Sequence, residues 1–503
     1  MFNYEELFQT HKTPFYLYDF DKIKRAFLSY KEAFKGRKSL ICYALKANSN
    51  LSILSLLAHL ESGADCVSIG EIYRALKAGI KPYRIVFSGV GKSEFEIEQA
   101  LKLNILFLNV ESFMELQTIE KIAQSLGIKA RISIRINPNI DAKTHPYIST
   151  GLKENKFGVG EKEALEMFLW AKKSAFLEPI SVHFHIGSQL LDLEPIIEAS
   201  QKVAKIAKSL IALGIDLRFF DVGGGIGVSY ENEETIKLYD YAQGILNALQ
   251  GLDLTIICEP GRSIVAESGE LITQVLYEKK AQNKRFVIVD AGMNDFLRPS
   301  LYHAKHAIRV ITPSKGRKIS PCDVVGPVCE SSDTFLKGVN LPELEPGDKL
   351  VIEKVGAYGS SMASQYNSRP KLLELALEDH QIRVIRKREA LEDLWRLEEE
   401  GLKGFDQMQK NLDSLLENLR AEIDVLDNEL SDLLDKRLEI ALKIALIKQE
   451  NPIYCPKREQ EILKRLSQRD FKHLNGEILT GFYAEVFKIS RKFQENALKE
   501  LKK

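Results

Sequence analysis

A lysine stands at the end of an apolar run in Ile41-Cys-Tyr-Ala-Leu-Lys-Ala-Asn48, where a core strand would ordinarily carry no charge. Partial burial lowers an amine's pKa, and a neutral amine attacks an aldehyde to form an imine. Other unusual residues recur at the ends of similar runs. His183 and His185 close "ISVHFHIG", Gly223-Gly224-Gly225-Ile226-Gly227 follows "LRFFDV", and Glu259-Pro260-Gly261-Arg262 follows "LTIIC". The glycine run fails the dinucleotide fingerprint, because Val228 stands where the third glycine belongs. Its backbone N–H groups can instead converge on a phosphate, and a tight turn without a ligand is the plain alternative. Phosphate loop, lysine, histidine and carboxylate together describe a site for pyridoxal 5′-phosphate, whose ring is an electron sink for a carbanion. Glu259 could hold the pyridine proton and a histidine could stack on the ring. His183 and His185 are two apart, so on a strand both face the same way.

These groups need a scaffold that brings strand ends together. Eight apolar, β-branched-rich runs ("SLICYA", "ADCVS", "RIVFSG", "ILFLNV", "ARISIRI", "ISVHFHIG", "LRFFDVGGG", "LTIICEPG") alternate with helix-like segments. Uniformly apolar runs suit parallel strands covered on both faces. Eight repeats over about 240 residues predict an α/β TIM (β/α)8 barrel at 24–268, with reactive groups at the C-terminal strand ends. A doubly wound sheet is the competitor. From 269 to 402 the texture becomes strand-like with glycine and proline turns, predicting a β domain. Residues 1–23 join it, "FYLYD" adding a strand. Gly401-Leu-Lys-Gly404 opens an expected linker at 403–411, and 412–503 reads as all-helical with one break at "ENPIYCP".

The chain has 503 residues, 45% of them apolar and 28% charged, with 70 basic side chains against 70 acidic ones. That balance argues against nucleic acid or an anionic membrane as partner. The N-terminus has no basic region followed by an apolar core, and no apolar run approaches the roughly 20 residues a span needs. Six scattered cysteines without a C-x-x-C pair suggest neither disulfides nor a metal site, and the expected compartment is the cytoplasm.

"YALKAN", "HFHIGSQ", "DVGGGIG", "CEPGR", "GMNDFLRPSLY", "CESSD" and "GAYGSSM" resemble the bacterial diaminopimelate decarboxylase family, of alanine racemase-like fold, over roughly residues 10 to 400. The resemblance implies pyridoxal 5′-phosphate bound by Lys46, His185, Ser188, Gly225, Glu259, Gly261, Arg262 and Tyr358. Lys46 would carry the imine, His185 stack on the ring and Glu259 meet the pyridine nitrogen. It further implies that Arg262, Arg298 and Tyr302 hold the distal carboxylate of meso-diaminopimelate, with Glu330 on the distal ammonium and Tyr358 touching cofactor and substrate. Cys329 would protonate the carbanion. Cys329 and Glu330 would come from a second subunit, implying a homodimer with shared sites. Acids near Lys46 occur in that family, which brings in Asp65 and Glu71; ion pairing without catalytic duty is the alternative.

In the tail, Leu416, Leu419, Ile423, Leu426, Leu430, Leu433, Arg437, Ile440, Ile444 and Ile447 repeat at steps of three and four, a coiled-coil-like seam. A guanidinium at the seam position Arg437 is costly unless an anion meets it. Lys448, three turns on, shares its face, while Arg420 projects about 100° away. The pattern resembles the all-helical chorismate mutase domain of bifunctional prephenate dehydratases, over about residues 412 to 495. That resemblance implies Arg420 from a partner chain, Arg437 and Ser490 on chorismate's carboxylates, and Lys448 and Gln494 on its ether oxygen. Arg458 and Glu459 would orient the ring and bind its hydroxyl. The family's usual Asp is Cys455 here, which predicts reduced activity. The combined expectation is a decarboxylase making L-lysine and CO2 with an appended chorismate mutase. The alternatives are a decarboxylase whose tail only dimerises, and a cofactor-carrying protein without decarboxylase activity.

Overall fold

The computed structural model describes residues 4–141, 156–282, 284–311, 316–448, 453–469 and 471–501, without the side chains of 403–406 and 501. The chain divides into two compact units, Met1–Leu394 and Trp395–Lys503.

In the first unit, strand β1 (Phe15–Asp19) precedes eight strands that close a parallel barrel. These are β2 (Ser39–Ala44), β3 (Gly63–Cys66), β4 (Ile85–Phe87), β5 (Phe107–Val110), β6 (Ala130–Arg135), β7 (Leu177–His183), β8 (Phe219–Asp221) and β9 (Thr255–Cys258). They are the eight runs expected from the sequence, and β9 returns to pair with β2. Cys42, Val86, Phe107, Ile180 and Ile257, one from each of five strands, form a cluster apart from the main core. Alternation along a strand sends these residues inward, so they fill the barrel, while their neighbours pack on the helices. Serines 68, 93 and 112 cap barrel helices, each accepting the N–H three residues on.

The remaining strands are β10 (Gly269–Ala281), β11 (Lys284–Val289), β12 (Ile308–Val310), β13 (Ile319–Val325), β14 (Thr334–Pro342), β15 (Lys349–Glu353), β16 (Leu373–Glu378) and β17 (Gln381–Arg386). They form a mixed sheet in the order β14-β13-β11-β10-β1-β16-β17, with β15 also on β10 and β12 on β15. The N-terminal β1 does add a strand, antiparallel to β10 and parallel to β16.

The second unit has helices Glu399–Lys448, Pro456–Ser467 and Gly476–Leu501. Residues 403–411, expected as a linker, lie inside the first, which runs 50 residues, or about 75 Å. Each glycine in a helix interior costs about 1 kcal/mol, too little to interrupt a helix of this length. A second break, beyond the one at "ENPIYCP", separates the last two helices.

Candidate active site

Lys46 sits in a single helical turn, Leu45–Ala47, directly after β2. Its Nζ is 3.2 Å from Asp65 Oδ2, on the adjacent strand β3, where Asp65 is fully buried. Burial lowers the ammonium's pKa, but Asp65, then Tyr358 and Glu259, outweigh it and the net shift is upward. The expectation that burial leaves Lys46 neutral is therefore corrected: with Asp65 beside it the amine is held as ammonium.

Glu259, just past β9, is 5% exposed and lies 3.4 Å from His183 Nε2. Burial opposes its charge, yet His183 and then Lys46 hold its carboxyl down at about 2. Asp221, the last residue of β8, completes a buried group with them, their ligand atoms within 4.8 Å of one another. Burial, then the neighbouring Glu259, pushes Asp221 up. Glu259 Oε1 is buried without a hydrogen-bond partner among the described residues.

The two histidines do not share a strand face as expected, because β7 ends at His183. His185 lies beyond the strand, and its Nδ1 accepts the Gly224 N–H at 3.1 Å. That contact places the ring proton on Nε2, and burial, then Arg135 and Lys46, holds the imidazole well below its ordinary pKa. Two of the adjoining glycines are required by contact. A Cβ on Gly224 would lie 2.1 Å from the Glu259 carbonyl oxygen, and one on Gly225, at φ +120°, 2.4 Å from that of Gly187.

Arg262, 6% exposed, donates from Nη1 to Tyr230 Oη (3.1 Å) and from Nη2 to Ser188 Oγ (2.9 Å). It lies 4.8 Å from the ring centre of Tyr358, whose N–H donates to the Ala47 carbonyl at 2.7 Å. Gly261 packs on the same turn; a Cβ there would be 3.0 Å from that of Ala47. Arg298 opens the short helix Arg298–Tyr302 and lies over the Tyr230 and Tyr302 rings at 5.2 and 5.9 Å. No carboxylate among the described residues forms an ion pair with Arg262 or Arg298. Burial, and after it the nearby Arg262, holds the Arg298 pKa below its usual value.

Lys46, His185, Ser188, Arg262, Arg298, Tyr302 and Tyr358 all line one cavity of about 650 Å³. Cys329 and Glu330 do not; both are exposed, with the Cys329 N–H on Asn367 and Glu330 hydrogen-bonded to Tyr366 and Ser332. The sequence reading missed Tyr230 and gave no role to Asp221, although Asp221 lies within "DVGGGIG".

A phosphorylated pyridine aldehyde fits this donor set. It needs an amine, a cationic and glycine-lined phosphate seat, and a carboxylate at the ring nitrogen. Lys46, the Gly223–Gly225 turn with Arg262 and Ser188, and the unpartnered Glu259 Oε1 provide them.

The helical unit gathers a second set. Arg437 donates to Ser490 Oγ and lies over the Phe487 ring at 5.3 Å. Gln494 donates to the Ala441 carbonyl, and both Ser490 and Gln494 are buried. Lys448 is half-buried. Glu459 is engaged by Arg491, whose Nη1 reaches both its oxygens at 2.7 Å, a partner the sequence did not suggest. Arg458 pairs with Glu461 at the surface. Arg420 is exposed, about 25 Å along the helix from Arg437.

Residues 20–266 match the family of the pyridoxal-dependent decarboxylase, pyridoxal binding domain, and residues 419–495 match chorismate mutase type II. The first unit thus has the fold and site of a pyridoxal 5′-phosphate-dependent decarboxylase. The diaminopimelate decarboxylase of Helicobacter pylori (strain ATCC 700392 / 26695) is 96% identical over 404 residues, 80% of this chain and 100% of the relative. That of Campylobacter jejuni is 60% identical over 402 residues, again 80% of this chain and 100% of the relative. The crystal structure of the Helicobacter pylori enzyme complexed with L-lysine is similar at 95% identity and a TM-score of 0.78, over 79% of this chain and 100% of that one. The chain belongs to the diaminopimelate decarboxylase family, and it carries a C-terminal chorismate mutase type II domain.

Proposed function

We propose that the first unit decarboxylates meso-2,6-diaminopimelate to L-lysine and CO2, and that the helical unit converts chorismate to prephenate. The observation that carries the first reading is the convergence of Lys46 and an Arg262–Arg298 couple without an acid partner on one cavity, with the buried Glu259 within electrostatic reach of Lys46. Pyridoxal 5′-phosphate supplies the ring that accepts the electron pair left on Cα when the carboxylate departs. Lys46 holds the cofactor's aldehyde carbon, Gly225, Gly261, Arg262 and Ser188 its phosphate, and His185 stacks on the ring. Glu259, kept ionised by His183, holds a proton at the ring nitrogen. Arg298 and Tyr302, with Arg262, receive the substrate's distal carboxylate, and Tyr358 closes on cofactor and substrate.

Cys329 and Glu330 act from a second copy of the chain, the cysteine returning a proton to Cα and the glutamate taking the distal ammonium. Their position outside the cavity of their own chain supports a homodimer with shared sites. The working compartment is the cytoplasm, and among the described residues no helix is long and apolar enough to cross a membrane.

In the helical unit, a unimolecular rearrangement requires a compact dianion and positive charge at the breaking C–O bond. Arg437, Ser490, Lys448 and Gln494 supply these, with Arg458 and Glu459 at the ring hydroxyl and Arg420 reaching in from the partner. A tail that merely dimerised would not need a half-buried guanidinium held against a buried serine in its seam. Purified protein should release CO2 from meso-diaminopimelate and consume chorismate, and Arg437→Ala should cut chorismate consumption at least about 100-fold while sparing CO2 release. Equal chorismate loss in wild type and variant would overturn the second activity.

A further inference from the structure

Arg298 carries the substrate anchor in this reading, so what fixes Arg298 bears on selectivity. The guanidinium offers five N–H donors. One of them, Nε–H, is directed at His306 Nε2, 3.3 Å away. His306 is 2% exposed, and its ring is wedged edge-on between Tyr230 and Phe296 at 4.8 and 4.7 Å. Its other nitrogen, Nδ1, is 2.9 Å from the Glu353 carbonyl oxygen. A carbonyl only accepts, so Nδ1 bears the hydrogen and Nε2 presents a lone pair. Arg298 only donates, which demands the same tautomer. Two independent contacts therefore agree on one neutral imidazole.

The backbone makes this arrangement reproducible. Strands β12 and β15 pair antiparallel with Ile308 opposite Ile352, and the Glu353 N–H bonds the Ala307 carbonyl. That register sets the residue before Ala307 beside the Glu353 carbonyl. Burial, and after it Arg298, holds the His306 pKa down at about 3, so the ring stays an acceptor at neutral pH.

Arg262 is differently committed, since its Nη1 and Nη2 already serve Tyr230 and Ser188. In Arg298 the terminal pair is left for a ligand, and Arg298 lines the cavity. We propose that His306 is a positioning residue that selects substrates bearing a distal carboxylate: by taking Nε–H it locks the Arg298 fork with Nη1 and Nη2 turned to the cavity. This rests on the role given to Arg298 above.

The test compares meso-diaminopimelate with two competitive inhibitors. L-Lysine keeps the distal carboxylate, whereas D-lysine keeps an amino-acid end and the distal ammonium without it. His306→Phe preserves ring packing and removes the acceptor. It should raise KM for meso-diaminopimelate and the L-lysine inhibition constant roughly 10- to 100-fold. The D-lysine constant should stay within about twofold, since D-lysine makes no bond to Arg298. His306→Gln, whose amide oxygen can accept from Nε–H, should restore both to within about threefold. His306→Asn, too short to reach, should behave as the phenylalanine variant and serves if that one does not fold. An unchanged KM in His306→Phe and His306→Asn, or equal weakening of both inhibitors, would overturn the proposal. Arg298→Leu separates the two levels. If it leaves KM unchanged, the anchor itself is misassigned; if it raises KM while the His306 variants do not, only the positioning role fails.

Discussion

At the scale of residues, the site is a set of charges arranged so that few of them can relax. Lys46 is balanced by Asp65, Glu259 by His183, and the Arg262–Arg298 couple by no acid among the described residues. His185 and His306 stay neutral because burial opposes their charge. The pH consequence has a definite sign. In the unfolded chain both histidines take up a proton below about pH 6.5, while in the folded chain His306, facing Arg298, Arg262 and Lys354, does so only near 3. The unfolded state then binds more protons, so stability is full above about 6.5 and is lost as pH falls toward 3. Each histidine contributes at most about 1.4 kcal/mol per pH unit. Denaturant midpoints at pH 7 and pH 5 should diverge less in His306→Gln than in wild type; an identical divergence would show that His306 charges freely in the fold.

The chemistry at this scale was legible where a residue's type clashed with its setting, as with Lys46 and Glu259, whereas Arg298 was reached only through the family resemblance. Tyr230 was not legible, because its partners Arg262 and Arg298 are joined to it only by the fold. Asp65, 19 residues away, was brought near Lys46 only by the family resemblance, and the pairing of β2 with β3 makes it the ion-pair partner that raises the amine's pKa.

At the scale of elements, the barrel was readable because strands buried on both faces are largely apolar, as β4 is throughout and as β3 and β5 are apart from Asp65 and Asn109. The histidine pair was misplaced because sequence does not mark where β7 gives way to loop. The start of the long helix was set too late, because Gly401 and Gly404 look like punctuation and local propensity yields to length. Cys455 shows the reverse case, a local departure with a local effect. It is the N-cap of Pro456–Ser467, with non-helical backbone and no side-chain cap bond. Cys455→Asp should supply an acceptor for the free N–H groups of the first turn, stabilising the helical unit by about 1 kcal/mol. Chorismate consumption should rise with it. A thermal midpoint for the unit that does not increase would remove the capping role.

At the scale of the molecule, two units with separate sites share one chain. Leu419, Ile423, Leu426, Leu430 and Leu433 are each more than two-fifths exposed along the long helix, an apolar stripe that a second copy would cover. In the proposed function both units would pair two-fold, the first to bring Cys329 and Glu330 to a cavity and the second to bring Arg420. The separation makes one measurement decisive. The full chain is incubated with pyridoxal 5′-phosphate, reduced with borohydride, digested and mapped by mass. The expected result is a single pyridoxyl adduct, on Lys46, with CO2 release from meso-diaminopimelate abolished and chorismate consumption retained. An adduct on another lysine, or undiminished CO2 release after reduction, would contradict it.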